Sequence, residues 1–202
     1  MYRFPKTEKG FRSRIASYRA AMQKERRTYG GISDGSGKRY VLFWLHFLLN
    51  DLKAAKTYFR WYEKQFEDDV GEPIQKLCWA VSLYRMGDQK KSKYVLADLM
   101  LSNLYFIPSV IGAEIDRQDI WHASSDAEPH YADEIPTEIL NAVTAAERSW
   151  IAELHDSLEF RRYRKRHVEI YRELANTRGV EKRTPLVREA GALLDQLKKS
   201  CS

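Results

Sequence analysis

Large apolar residues recur along this chain at steps of three and four, the period of a helix, and almost nowhere at steps of two, the period of a strand. Phe11, Ile15, Tyr18 and Met22 mark one stripe of a helix over Thr7 to Thr28. Four glycines within residues 30–37 then predict a linker or mobile loop. From Tyr40 to Leu49 nearly every residue is large and apolar, which predicts a buried helix. Ala55, Tyr58, Phe59, Tyr62 and Phe66 place a second helix against it. Pro73 stands where a first-turn proline opens a helix, Leu77, Trp79, Ala80 and Leu83 carry that helix to Met86, and Tyr94, Val95, Leu99 and Met100 form the inner face of a fourth. Pro108 predicts a short helix running to Asp119. Residues 121–136 have no period and read as a long irregular connection. Ile139, Leu140, Val143, Trp150 and Leu154 resume the stripe, and Leu158 to Leu174 continues it as one helix or as a hairpin broken near Asp156. After a linker at 176–183, Thr184 and Pro185 predict the cap and first turn of a closing helix.

The middle of the chain repeats itself. Asn50-Asp51 and Gly87-Asp88, like Ala55 and Ser92, stand 37 residues apart, and the same offset pairs Trp44 with Val81 and Phe43 with Ala80. A period in the thirties made of two helices is the mark of stacked helical hairpins. Ala80 at a helix crossing, Leu83, the turn Met86-Gly87-Asp88 and Ser92, with Phe43, Asn50, Asp51 and Ala55 in the same roles earlier, make residues 38–104 resemble two tetratricopeptide-type repeats. The expected fold is all-α: a tetratricopeptide-like helical-hairpin core with additional N- and C-terminal helices. The expected segments are a basic helix and glycine-rich linker at 1–37, the hairpin region at 38–120, the loop at 121–136 and C-terminal helices at 137–202. The resemblance implies binding of a peptide or partner protein.

Charge sharpens this picture. Residues 1–39 hold eleven Lys or Arg against three acids, residues 40–154 eleven against eighteen, residues 155–185 nine against five, and residues 186–202 three against two. The basic flanks would contact an anionic partner, fold back onto the acidic middle, or be covered by a second copy in a homodimer. Cys78 in an apolar run and Cys201 in the tail are expected as free thiols, which favours a cytoplasmic setting. The N-terminus is too charged for a secretory signal. No apolar stretch approaches the roughly 20 residues needed to span a bilayer.

Candidate chemistry is sparse. Five residues, not four, separate Gly31 from Gly37, and Arg39 stands where a phosphate loop needs Ser or Thr, so the glycine segment predicts no nucleotide site. His122, Asp126, Glu128, His130 and Asp133 have residue types suited to metal or acid-base work but no fixed ligand spacing. His46, among aromatics, is expected as a packed, hydrogen-bonded histidine. No catalytic, cofactor-binding or metal-ligating residue is therefore assigned, and an enzyme is not the expected class. Partner contacts are expected at Trp61, with Arg60 and Lys64 beside it, extended by Lys76, Trp79 and Arg85. The alternative is nucleic-acid association through the basic N-terminal helix and a surface of Arg161, Arg162, Arg164, Lys165 and Arg166.

Overall fold

A computed structural model of the chain describes residues 2–200. Among these the chain forms ten α-helices, two 3₁₀ turns (Ser125–Ala127 and Pro129–Glu134) and no strand. The helices are α1 (Glu8–Tyr29), α2 (Lys38–Leu49), α3 (Leu52–Gln65), α4 (Pro73–Arg85), α5 (Gln89–Ser102), α6 (Phe106–Ile111), α7 (Thr137–Ala142), α8 (Ala145–Asp156), α9 (Leu158–Asn176) and α10 (Val180–Ser200). None is long and apolar enough to cross a membrane.

The turns joining α2 to α3 and α4 to α5 are built alike. Asn50 (φ 52°) and Gly87 (φ 78°) both adopt the left-handed conformation that reverses a chain after a helix. The following residues share one geometry, Asp51 at φ -87°, ψ 82° and Asp88 at φ -83°, ψ 73°. Each of these carboxylates accepts the N–H three residues on, from Ala54 and from Lys91. Ala55 and Ser92, one turn further along, are both buried.

Helix α4 is the axis of the molecule. Its sequence carries only two charged residues, Lys76 and Arg85, and ten of its thirteen residues are buried. It packs against α5, α2 and α3, while α5 in turn contacts α6, α8, α9 and α10. The residue before α4, Glu72, is buried and has no cationic partner; four donors surround its carboxylate instead. The N–H groups of Ile74 (2.9 Å) and Gln75 (2.6 Å) cap the helix, the Trp44 indole of α2 donates at 3.0 Å, and the Tyr131 hydroxyl of the second 3₁₀ turn donates at 2.6 Å. The Gln75 side chain returns the cap by accepting from the Glu72 N–H. Gly71, at φ 74°, is required here, since a Cβ would stand 2.5 Å from the Gln75 side-chain oxygen.

Several local expectations are corrected. The glycine-rich segment is fastened at both sides: Glu25 accepts the N–H groups of Ser33 and Asp34, and buried Asp34 accepts those of Lys38 and Arg39 at the start of α2. The helix after Leu104 is short because Gly112 takes the left-handed conformation at φ 72°. Thr144 and Ser157 cap new helices, so residues 137–176 form three helices in place of one or two. Helix α10 begins at Val180 and contains Pro185 within it, ahead of the expected cap at Thr184. Cys78 is a buried free thiol whose pKa is pushed up by burial; Cys201 lies outside the described residues.

His46 is packed but not hydrogen-bonded. Its ring stacks on Tyr58 at 5.3 Å and neither ring nitrogen has a partner. Burial lowers the pKa of both His46 and His167 from 6.5 to about 4. As pH falls, the unfolded chain therefore takes up protons before the folded one does. The associated stability is whole above about 6.5 and declines down to about 4, by up to about 3 kcal/mol for one such histidine. Urea unfolding of His46→Phe across pH 6.5 to 4 should show a flatter pH dependence than the parent. An unchanged slope would contradict a neutral buried His46.

Candidate interaction surfaces

Helix α1 runs alongside α3 in the same direction. The Arg12 guanidinium donates to Asp51 at 3.1 Å near one end, and Arg26 donates to Gln65 at 3.2 Å near the other. Both helices rest on α2, into which α1 sends Ile15 and Met22 and α3 sends Ala55, Tyr58, Phe59 and Tyr62. The opposite side of α3 presents Lys53, Lys56, Arg60 and Lys64, all exposed and none in an ion pair. Lys53 to Lys64 spans roughly 16 Å at the helical rise of about 1.5 Å per residue. Arg19 of α1 is exposed as well, on the helix that runs beside α3.

Most acids near this face are occupied; Glu67 and Asp68, just past the end of α3, are exposed and in no ion pair among the described residues. Glu8 pairs with Arg12, Glu25 and Asp34 hold the loop before α2, Asp51 caps α3 and pairs with Arg12, and Glu63 pairs with Lys91 at 2.5 Å. Trp61 is half-buried beside the cations, its ring against Tyr58 (5.6 Å) and Phe66 (5.8 Å). Arg60, Trp61 and Lys64 thus sit together as expected from sequence. Arg19, Lys53 and Lys56 join them and were missed, although Lys53, Lys56, Arg60 and Lys64 fall at steps of three and four in the sequence.

Lys76, Trp79 and Arg85 do not extend that surface. Lys76 is only 3% exposed, and its ammonium donates to Asp98 (2.8 Å) and the Ser102 hydroxyl (2.5 Å) on α5. Trp79 packs among Phe43, Phe59 and Tyr62, with the Lys91 ammonium over its ring. Arg85 donates to both oxygens of Glu147 (2.7 and 3.1 Å), to the Ala142 carbonyl and to the Asn50 side chain, and lies over the Phe47 ring. The physical reason is that α4 is enclosed on nearly every side, so its charged residues meet partners inside the fold.

The cluster on α9 is divided in the same way. Arg164 turns inward and donates to the His155 carbonyl at 3.0 Å; burial lowers its pKa. Arg166 is gripped by Glu189 on α10 (2.7 and 2.9 Å) and by Glu169 (3.1 Å). Arg161, Arg162 and Lys165 remain exposed and without an ion pair. Among the loop residues, His122 meets the Tyr105 hydroxyl at 3.2 Å, while His130 approaches Glu128 at 3.2 Å on the surface. No group of three His, Cys, Asp or Glu side chains among the described residues stands close enough to hold a metal ion.

These placements separate structural from surface cations. Arg85→Ala should destabilise the protein by about 3–5 kcal/mol in chemical denaturation, because it leaves the buried Glu147 carboxylate without its cation, and Lys76→Ala by about 1–3 kcal/mol, because the Asp98 carboxylate it leaves unpaired is partly exposed. Arg60→Ala and Lys64→Ala should stay within about 0.5 kcal/mol of the parent. A neutral Lys76→Ala would overturn the structural role assigned to that ammonium.

No family model, no curated protein and no solved structure matches the chain.

Proposed function

We propose that this chain is an interaction module of the tetratricopeptide-like helical-hairpin kind, and that it holds an acidic segment of a partner protein along α1 and α3. The observation that carries this reading is the imbalance of charge there. Every carboxylate in the first 39 residues is engaged within the fold, while Arg19, Lys53, Lys56, Arg60 and Lys64 have no carboxylate partner. Such a face attracts acidic segments from a distance and fixes their register. Trp61 at its edge supplies the apolar contact on which interface affinity commonly depends. The matching geometry of the turns at Asn50-Asp51 and Gly87-Asp88 supports the reading of α2 to α5 as two related hairpins.

Nucleic-acid association through α9 is the second reading, favoured by the free Arg161, Arg162 and Lys165. It is the weaker one, because Arg164 turns inward and Arg166 is paired at the surface with Glu189 and Glu169.

Fluorescence anisotropy with a short glutamate-rich peptide containing leucine and phenylalanine, and separately with single-stranded RNA, distinguishes the two. The triple variant Lys53→Glu, Arg60→Glu, Lys64→Glu should weaken peptide binding by about tenfold or more, while Arg161→Gln, Arg162→Gln, Lys165→Gln leaves it unchanged. Steeply salt-dependent RNA binding lost only in the α9 variant, with no peptide binding by the parent, would replace the first reading with the second.

A further inference from the structure

Away from the basic face, a cavity of about 580 Å³ lies between the end of α5, the segment 120–127 and the pair α9–α10. Its volume falls in the usual range for small-molecule sites. One wall is a row of stacked groups. His167 and Tyr171, four residues apart on α9, stack at 4.1 Å and 19°. Tyr171 stacks on Trp121 at 5.9 Å and 15°, and the Arg183 guanidinium closes the row 4.7 Å from the Trp121 ring. The Trp121 backbone N–H donates to the Tyr171 carbonyl at 3.1 Å, which ties the chain at Trp121 to α9. Arg183 is itself held by the carbonyls of Leu174 and Thr177. The facing wall is aliphatic, from Leu101, Leu104, Ala190 and Leu194.

Two further features mark this cavity as more than a packing gap. The His167 ring is only 7% exposed, lines the cavity, and makes no hydrogen bond to any described residue. Unlike those of His46, its ring nitrogens are not sealed in the interior and stay open to a guest in the cavity. Gly191 borders the cavity from the α10 side; it is exposed, and a Cβ there would stand in open space with nothing within 4 Å. The electrostatics disfavour an anionic guest. No lysine or arginine lines the cavity among the described residues, Arg183 standing behind Trp121; of the two lining carboxylates, Asp98 is paired with Lys76 at 2.8 Å and Asp126 accepts from the Ser125 hydroxyl at 3.3 Å.

We propose that this cavity binds a small, flat, uncharged aromatic or heteroaromatic molecule, lying against the ring wall of α9 with its one polar group hydrogen-bonded to His167. A neutral imidazole offers one donor and one acceptor, which suits a phenol, a ring N–H or an amide. Burial keeps His167 in that neutral form. Val70 and Val187, two of the most exposed large apolar residues of the chain, border the cavity and give such a molecule an apolar approach.

The test uses the full chain and naphthol as probe, with naphthalene lacking the hydroxyl and naphthalenesulfonate carrying a charge as comparators. Binding is read by saturation-transfer NMR and by tryptophan fluorescence. Naphthol should bind saturably with one site, and better than naphthalenesulfonate. Gly191→Phe, which fills the cavity from a position where a side chain meets no atom, should weaken naphthol by at least about tenfold while helix content and melting temperature are kept. Gly191→Leu serves the same purpose should the larger ring fail to fold. His167→Phe keeps the stacked ring but removes its nitrogens, and should weaken naphthol severalfold while leaving naphthalene unchanged. No saturable binding of naphthol by the parent, undiminished binding in a folded Gly191 variant, or a preference for the sulfonate would overturn the proposal.

Discussion

A carboxylate buried without a cation ties the N-terminal hairpins to the rest of the chain. Glu72 is enclosed by donors from three separate places: the first turn of α4, the indole of Trp44 on α2, and the hydroxyl of Tyr131 some sixty residues later. Taking a carboxylate out of water is expensive, and hydrogen bonds to its charged form are what offset the cost. Burial raises the Glu72 pKa and the four donors pull it only part of the way back, so losing any of them would raise it further. Neither helix pair nor the 3₁₀ turn can leave without stranding the carboxylate or a donor. At the other end of α4, Arg85 does the same work with opposite sign, joining α4 to α8 through Glu147 and to the α2–α3 turn through Asn50. The central helix is thereby fixed at both ends by polar contacts and along its length by apolar ones.

That arrangement explains where charge is left over. Groups on or near α4 are consumed in the interior, as Lys76 is by Asp98 and Arg85 by Glu147. The acids of the N-terminal segment are spent holding loops and caps. Cations on the outer side of α3 and in the exposed part of α9 are among those left without an ion pair among the described residues, and the α3 row stands inside a stretch that is acidic on count. The cavity beside α9 belongs to a different regime. It is mostly apolar, no lysine or arginine lines it among the described residues, and His167 meets it as a neutral imidazole.

Much of the helical framework was legible because local rules act within a few residues. Pro73 and the turns at Asp51 and Asp88 announce helix starts through their own backbone chemistry, and the apolar period locates the inner faces, whereas the cap at Thr144 was passed over inside a continuous stripe. What escaped the sequence depends on distant partners. Lys76 looked like a neighbour of Trp79 on an outer face, and only the Asp98 carboxylate across the α4–α5 interface shows why it is inside. The low charge of α4 was the available signal that this helix has no outer face. Arg164 and Arg166 were indistinguishable from Arg161 in an unbroken basic run, because their fate is decided by His155 and Glu189. The His167 cavity gave no sequence signal, since it needs Trp121 and Gly191 brought to α9 from both sides.

The central claim is that the buried carboxylate makes the two halves of the chain one cooperative unit. Native-state hydrogen exchange of the Trp44 indole N–H tests it most directly, because that proton is donated to Glu72 from the N-terminal half. The account predicts that it exchanges only through global unfolding, with the same opening free energy as amides in the buried part of α9 such as Ile170. Exchange of the Trp44 proton through a separate opening of lower free energy, while Ile170 stays protected, would contradict it.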